Sequence, residues 1–259
     1  MARALVTGAG RRLGRAMALS LAARGHHVAV HYASSASEAE AVAEAARGLG
    51  VQAVALRADL IVEAEMQALV PAAAEALGGP LTVLVNNASI FEYDNIDSMT
   101  RASWDRHLES NLRAPVVLTQ HFAAQVPEPA RDAAGEPLAQ GLVVNMIDQR
   151  VRKLTPEFMS YTIAKMGLWA FTRTAAQALA PRVRVNAIGP GPTLQGARQT
   201  AGHFSAQRAA CPLGRGGDPD DITAALGYLL DARAVTGQLL CIDGGQHLAW
   251  QTPDVLGPE

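Results

Sequence analysis

The chain has 259 residues, about half of them apolar and only 5% aromatic, enough for one generous α/β domain whose core is mostly Ala, Val and Leu. A net charge of -2 gives no electrostatic pull toward nucleic acid or an anionic membrane. The two cysteines, Cys211 and Cys241, have no Cys/His ligand spacing around them, so no metal site is expected and both read as thiols of a reducing compartment.

Apolar runs alternate with helix-period segments from the start. Ala4–Val6 reads as a strand that begins too early to leave room for a signal peptide. No run reaches transmembrane length, and the expected location is the cytoplasm. Leu13, Ala16, Met17 and Leu21 recur at helical spacing. His27–His31 is a strand, Ala36–Arg47 a helix stopped by Gly48 and Gly50, and Gln52–Leu56 a strand. Ala64–Leu77, Trp104–Gln125, Phe158–Ala180 and Asp221–Asp231 read as helices. Leu81–Val85, Gly141–Met146, Arg182–Ala187 and Gln238–Ile242 read as strands. The rhythm predicts one doubly wound α/β domain of the Rossmann kind over 1–259, with a parallel sheet between two helical layers. Val126–Gln140 looks like a surface excursion. The Pro- and Gly-rich stretch Gly189–Gly217 looks like a mobile substrate loop.

Thr7-Gly8-Ala9-Gly10-Arg11-Arg12-Leu13-Gly14 lies between the first strand and the first helix. Glycines there let the backbone approach a pyrophosphate, and the helix N-terminus supplies free N–H groups. After the second strand, His31-Tyr32-Ala33-Ser34-Ser35 offers no carboxylate for a ribose 2′-hydroxyl before Glu38. With Arg11 and Arg12 opposite, this favours the 2′-phosphate of NADPH, unless His31 is merely a partly exposed strand end and the arginines act alone. Asp59-Leu60 follows the third strand, where Asp59 either bonds adenine or caps the next helix. Asn87-Ala88-Ser89 follows the fourth, at the carboxyl edge where such sheets bind ligands.

Tyr161 and Lys165 are four residues apart on a helix and share a face. A free tyrosine, with a pKa of about 10, is a poor acid at neutral pH. A neighbouring ammonium would lower that value and make the phenol a general acid beside an atom that receives hydride.

These elements, with Asn111, Pro190-Gly191 and Asp243-Gly244-Gly245, resemble the short-chain dehydrogenase/reductase family over nearly the whole chain. The resemblance implies a seven-stranded parallel sheet, hydride transfer at a nicotinamide, Lys165 on the nicotinamide ribose, Asn111 holding a proton-relay water, and a homotetramer. Pro190, Gly191 and Thr193 complete the cofactor contacts it implies. Most members carry a serine thirteen residues before the tyrosine, where this chain has Asp148. An ionised carboxylate cannot donate to a ketone oxygen and repels an alkoxide; it suits a ring with N–H donors. Arg12 stands where a glycine is usual.

Arg12, His31-Tyr32-x-x-Ser35-Ala36, Asn87-Ala88-Ser89-x-Phe91, Asp148, Gly189-Pro190-Gly191 and Gly244-Gly245-Gln246-His247-Leu248 are similar to the pteridine and dihydromonapterin reductases. That implies a pterin stacked between Phe91 and nicotinamide, with Ser89 bonding pterin or cofactor phosphate and Arg12 meeting phosphate or ring. Phe91 could instead pack under the 189–217 loop, and Asp148 could cap a turn or pair with Arg150 or Arg152. His26, His107, His121 and His203 read as surface or satisfied core residues. The expected activity is NADPH-dependent reduction of a pterin or dihydropterin. The alternatives are a general carbonyl or 3-oxoacyl reductase, and a non-catalytic NADP-binding regulatory protein.

Overall fold

The computed structural model describes residues 2–196 and 198–250. The expected domain span 1–259 and the loop 189–217 also take in residue 1, Ala197 and 251–259, which lie outside the described residues.

The strands of the main sheet are β1 (Arg3–Val6), β2 (His27–Tyr32), β3 (Ala53–Arg57), β4 (Val83–Asn86), β7 (Gly141–Met146), β8 (Val183–Pro190) and β9 (Leu239–Ile242). They pair in parallel in the order β3-β2-β1-β4-β7-β8-β9, as the alternating pattern predicts. The order reverses between β1 and β4, which opens a crevice at their carboxyl ends. Apolar side chains on the two sheet faces enter two cores. One lies under α1 (Arg12–Ala23), α2 (Ala36–Arg47) and α8 (Pro219–Asp231). The other lies under α3 (Glu63–Ala76), α5 (Ala114–Gln125) and α6 (Met159–Leu179). Among the described residues, no helix is long and apolar enough to cross a membrane.

One expected element has different bounds, and two irregular stretches carry local structure. The long helix predicted from Trp104 starts earlier and has three parts: α4 (Arg101–Leu108), a π-helical turn over Glu109–Arg113, and α5. Thr100 and Ser103 set the start by capping each other's backbone N–H groups. The 126–140 excursion folds into a small hairpin, β5 (Ala130–Arg131) with β6 (Pro137–Leu138). The 189–217 stretch holds a helix, α7 (Ala201–Ala209), whose N-cap Thr200 accepts from the His203 N–H.

Buried amides lock the sheet beneath the crevice. Asn86 on β4 donates to Asn145 on β7 at 2.9 Å, and Asn145 donates to Thr172 on α6 at 2.9 Å. Asn145→Ala should destabilise the fold by about 1–3 kcal/mol for each partner left unpaired, measured by urea unfolding.

Candidate functional site

The loop between β1 and α1 is built by hydrogen bonds from underneath. The Thr7 hydroxyl accepts from the N–H groups of Asn87 and Ala88, each at 2.9 Å. The Asn87 amide donates back to the Thr7 and Gly8 carbonyls. Gly14 has to be glycine, since a Cβ there would sit 2.3 Å from the Gly8 carbonyl oxygen. α1 then begins with no side-chain cap and no acid in its first turn. Its first N–H groups and positive dipole end are therefore suited to an anion, and a dinucleotide pyrophosphate fits this cradle.

His31 does not face that cradle. Its ring is buried, with Nδ1 accepting from the Gly8 N–H at 3.0 Å and Nε2 donating to the Ala58 carbonyl at 2.9 Å. Burial pushes its pKa below the usual histidine value, against the weaker pull of the Ala58 bond. The ring is thus a neutral brace that shapes the glycine turn. The expectation that it is a phosphate donor or an exposed strand end is corrected.

Arg11 lies on the surface in an ion pair with Glu38, beside the exposed Ser34 and the partly open Ser35 and Tyr32. Ser35 begins α2 without using its hydroxyl as a cap. Cationic and hydroxyl donors therefore do meet after β2, although Glu38 competes for the cation. Asp59 is not the cap of α3: its carboxylate accepts from the Ile61 N–H in the turn before it, and Leu60 is buried.

Arg12 stands at φ +52°, a left-handed backbone that normally costs a non-glycine residue about 1–2 kcal/mol. Its guanidinium donates to the carbonyls of Leu194 and Gln195 at 3.0 and 2.8 Å, and so ties the glycine turn to the 189–217 loop. Leu13, behind it, packs on the core. At the other end of that loop, Pro190 closes β8 and Gly191 lies so close to Asp243 that a Cβ would approach the Asp243 Cβ to 2.5 Å. Thr193 donates to the Gly191 carbonyl at 3.1 Å.

Asp148, after β7, faces the crevice. One carboxylate oxygen accepts from the Arg150 N–H at 2.8 Å and the other from the Tyr161 hydroxyl at 2.9 Å. Asp148 therefore caps the turn at Arg150 and also bonds the Tyr161 hydroxyl. Lys165 is almost fully buried, and its ammonium donates to the Met146 carbonyl at 2.8 Å. It lies 5.6 Å from the centroid of the Tyr161 ring.

This arrangement overturns the expected lowering of the Tyr161 pKa. Burial raises it well above its ordinary value, and the charge and hydrogen bond of Asp148 add to the rise. Burial also raises the Asp148 carboxyl, against the Arg150 N–H and the nearby cations. Burial lowers Lys165 to about 8, with Asp148 opposing. Three ionisable groups therefore share one small volume, in which Tyr161 and Asp148 hold their protons more tightly and Lys165 holds its own less tightly.

Asn111 is at the centre of the π-helical turn. Its amide accepts from the Ile90 N–H at 2.8 Å and donates to the Ile90 carbonyl at 2.7 Å, which pins the segment after β4. The residue expected to help hold a relay water thus has its side chain engaged within the protein.

Phe91 stacks on Phe158, with ring centroids 4.3 Å apart, and meets Tyr161 edge-on at 4.7 Å. Arg198 of the 189–217 loop covers Phe91 and donates to its carbonyl. Phe91 therefore lies both beside the tyrosine and under the loop. Ser89 is exposed nearby, its hydroxyl reaching the Ile90 carbonyl at 3.4 Å. Phe158, at φ +55°, was missed by the sequence reading, since no pattern flags a non-glycine residue forced left-handed at a helix start.

The family model described as Enoyl-(Acyl carrier protein) reductase matches residues 8–247, and the chain belongs to the short-chain dehydrogenase/reductase family. Within it, the chain is 44% identical to the FolM alternative dihydrofolate reductase 1 from Brucella canis, a structure complexed with NADP, with a TM-score of 0.90 over 98% of this chain and 97% of that one. It is 33% identical to a short chain dehydrogenase from Burkholderia cenocepacia J2315 in complex with NADP, with a TM-score of 0.85 over 95% and 97% of the two chains. It is also 32% identical to the 3-oxoacyl-[acyl-carrier-protein] reductase of Staphylococcus aureus, over 95% of this chain and 98% of the relative.

Asp148→Asn removes the charge that disfavours the phenolate. The Tyr161 titration should move to lower pH, read by ultraviolet difference titration with Tyr161→Phe as the blank.

Proposed function

We propose that this chain is an NADPH-dependent reductase of a pterin or dihydropterin. The observation that carries the reading is the bond between Tyr161 and Asp148, a carboxylate where most of the family has a serine. The NADP complexes of similar structures, the uncapped start of α1, and Arg11 with Ser34 and Ser35 support the cofactor.

NADPH supplies the hydride. Gly8, Arg11, Arg12 and Leu13 receive its phosphates, together with Tyr32, Ser34 and Ser35. Asp59, Leu60, Asn87, Ala88 and Ser89 line its adenosine and ribose side, and Lys165, Pro190, Gly191 and Thr193 its nicotinamide side. His31 serves by shaping the turn at Gly8.

A ketone oxygen becomes an alkoxide and needs donors, which an ionised Asp148 opposes. A C=N nitrogen becomes an amine and needs one proton, and the raised pKa values keep that proton on the Asp148–Tyr161 pair at neutral pH. The pair donates it to the ring nitrogen and Asp148 accepts the ring's N–H edge. Phe91, stacked on Phe158 and covered by Arg198, borders the substrate and would meet it where Arg198 gives way, with Ser89 and Arg12 at the polar rim. The family resemblance also carries the expected homotetramer.

The similarity to a 3-oxoacyl-[acyl-carrier-protein] reductase favours a second reading, a carbonyl reductase with an unusual aspartate. NADPH oxidation with pterins, dihydropterins and ketones side by side separates the two. Asp148→Ser should cut pterin turnover by roughly 10²–10⁴-fold, the range of a lost general acid. Turnover of ketones but of no pterin defeats the proposal, and NADPH binding without any turnover marks the non-catalytic alternative.

Lys165 adds a pH dependence. With its pKa near 8, it is cationic below that value and loses its charge above it. The kcat/KM for NADPH should therefore fall as pH rises through about 8. In Lys165→Arg, whose guanidinium stays charged, that alkaline limb should be absent.

A further inference from the structure

A second polar network lies behind the tyrosine, fully inside the protein. Asp94, His107 and Ser160 are 1%, 0% and 0% exposed. They come from the segment after β4, from α4 and from the start of α6. The Asp94 carboxylate accepts from the Ser160 N–H at 3.1 Å, from the Ser160 hydroxyl, and from the Ser103 hydroxyl at 3.1 Å. The Asp94 carbonyl accepts from the Met159 N–H at 3.2 Å. His107 Nδ1 lies 2.6 Å from the Ser160 hydroxyl, and its Nε2 accepts from the Glu92 N–H at 3.1 Å.

The hydrogen positions follow from these partners. Nε2 accepts, so the proton of a neutral ring is on Nδ1 and is donated to Ser160. Ser160 passes its own proton to Asp94. Burial lowers the His107 pKa, which keeps the ring neutral against the pull of Asp94 and Glu92. Burial would raise Asp94, but its three donors outweigh it and hold the carboxyl below its usual value. Every bond runs one way, from the Glu92 amide through His107 and Ser160 to the Asp94 charge.

The residue types suggest a nucleophilic triad, but the order excludes one. The serine stands between histidine and aspartate, its proton faces the aspartate, and no crevice reaches its oxygen. What the chain of bonds joins is more telling. Glu92 follows Phe91, Ser160 precedes Tyr161, and the His107 ring lies edge-on to Tyr161 at 6.0 Å.

We propose that Asp94, His107 and Ser160 are positioning residues, a buried clamp that holds the Phe91 segment against the start of α6 and so sets the separation of Phe91 and Tyr161. The kinetic part rests on the reductase reading; the clamp itself does not.

The test compares Ser160→Ala, His107→Gln and His107→Asn with the wild type. Glutamine keeps an acceptor near Nε2 for the Glu92 amide, and asparagine keeps a donor near Nδ1 for Ser160. In hydrogen exchange, the wild-type amides of Glu92 and Ser160 should be protected. Ser160→Ala and His107→Asn should speed exchange across residues 90–95, and His107→Gln should largely restore it. With whichever substrate the wild type reduces, pterin or ketone, the same two variants should raise KM on the order of tenfold or more, as sub-ångström misplacement of reacting groups does. NADPH affinity should stay unchanged, since the glycine loop is untouched. Fast exchange at Glu92 in the wild type overturns the clamp. Variants that lower Tm while KM and exchange at 90–95 keep wild-type values overturn it too. Turnover of ketones alone would defeat the pterin reading and leave the clamp tested by its own measurements.

Discussion

The chemistry of the crevice depends on one hydrogen bond, from the Tyr161 hydroxyl to Asp148. A carboxylate at this place brings a charge that a serine hydroxyl lacks. It takes the phenolic proton as an acceptor, raises the cost of removing it, and is itself made more basic by burial. Lys165 completes the set from below, with a reduced hold on its own proton. In this pair the phenol and the carboxyl share one proton site, and the proposed reduction of a C=N bond draws on it.

The glycine loop shows the same economy of parts. Thr7, Asn87 and His31 fill its underside with donors and acceptors, so its outward N–H groups stay free for an anion. Arg12 accepts a left-handed backbone and in return reaches across to the 189–217 loop. The glycine turn and the 189–217 loop are thereby joined by one side chain. On the far side of the crevice, Asn111 and the buried network of Asp94, His107 and Ser160 fasten the segment that carries Phe91. That segment carries Phe91 to its contacts with Phe158 and Tyr161.

Much of this was legible in the sequence. Alternating strands and helices carry a two-fold and a 3.6-fold periodicity, and those periods alone set the parallel sheet and the edge where ligands collect. Glycine spacing marked the turn between β1 and α1 because only glycine tolerates the close approach seen at Gly14. The four-residue step from Tyr161 to Lys165 marked a shared helix face, and the aspartate thirteen residues before the tyrosine marked a departure that lies against the Tyr161 hydroxyl.

The rest required three dimensions. The local sequence presents His31 as a strand-end donor, yet β3 and the glycine turn close over it and use both its nitrogens. Spacing suggests that Lys165 lowers the Tyr161 pKa, yet the ammonium is bonded to a β7 carbonyl while burial and Asp148 drive the phenol the other way. Asp94, His107 and Ser160 have no signature, because they come from separate elements and meet only after packing. Periodicity and glycine spacing are local properties, so the sequence by itself determined the fold and the kind of site. Protonation, pairing and orientation depend on burial and on distant neighbours, and the tertiary structure alone decided them.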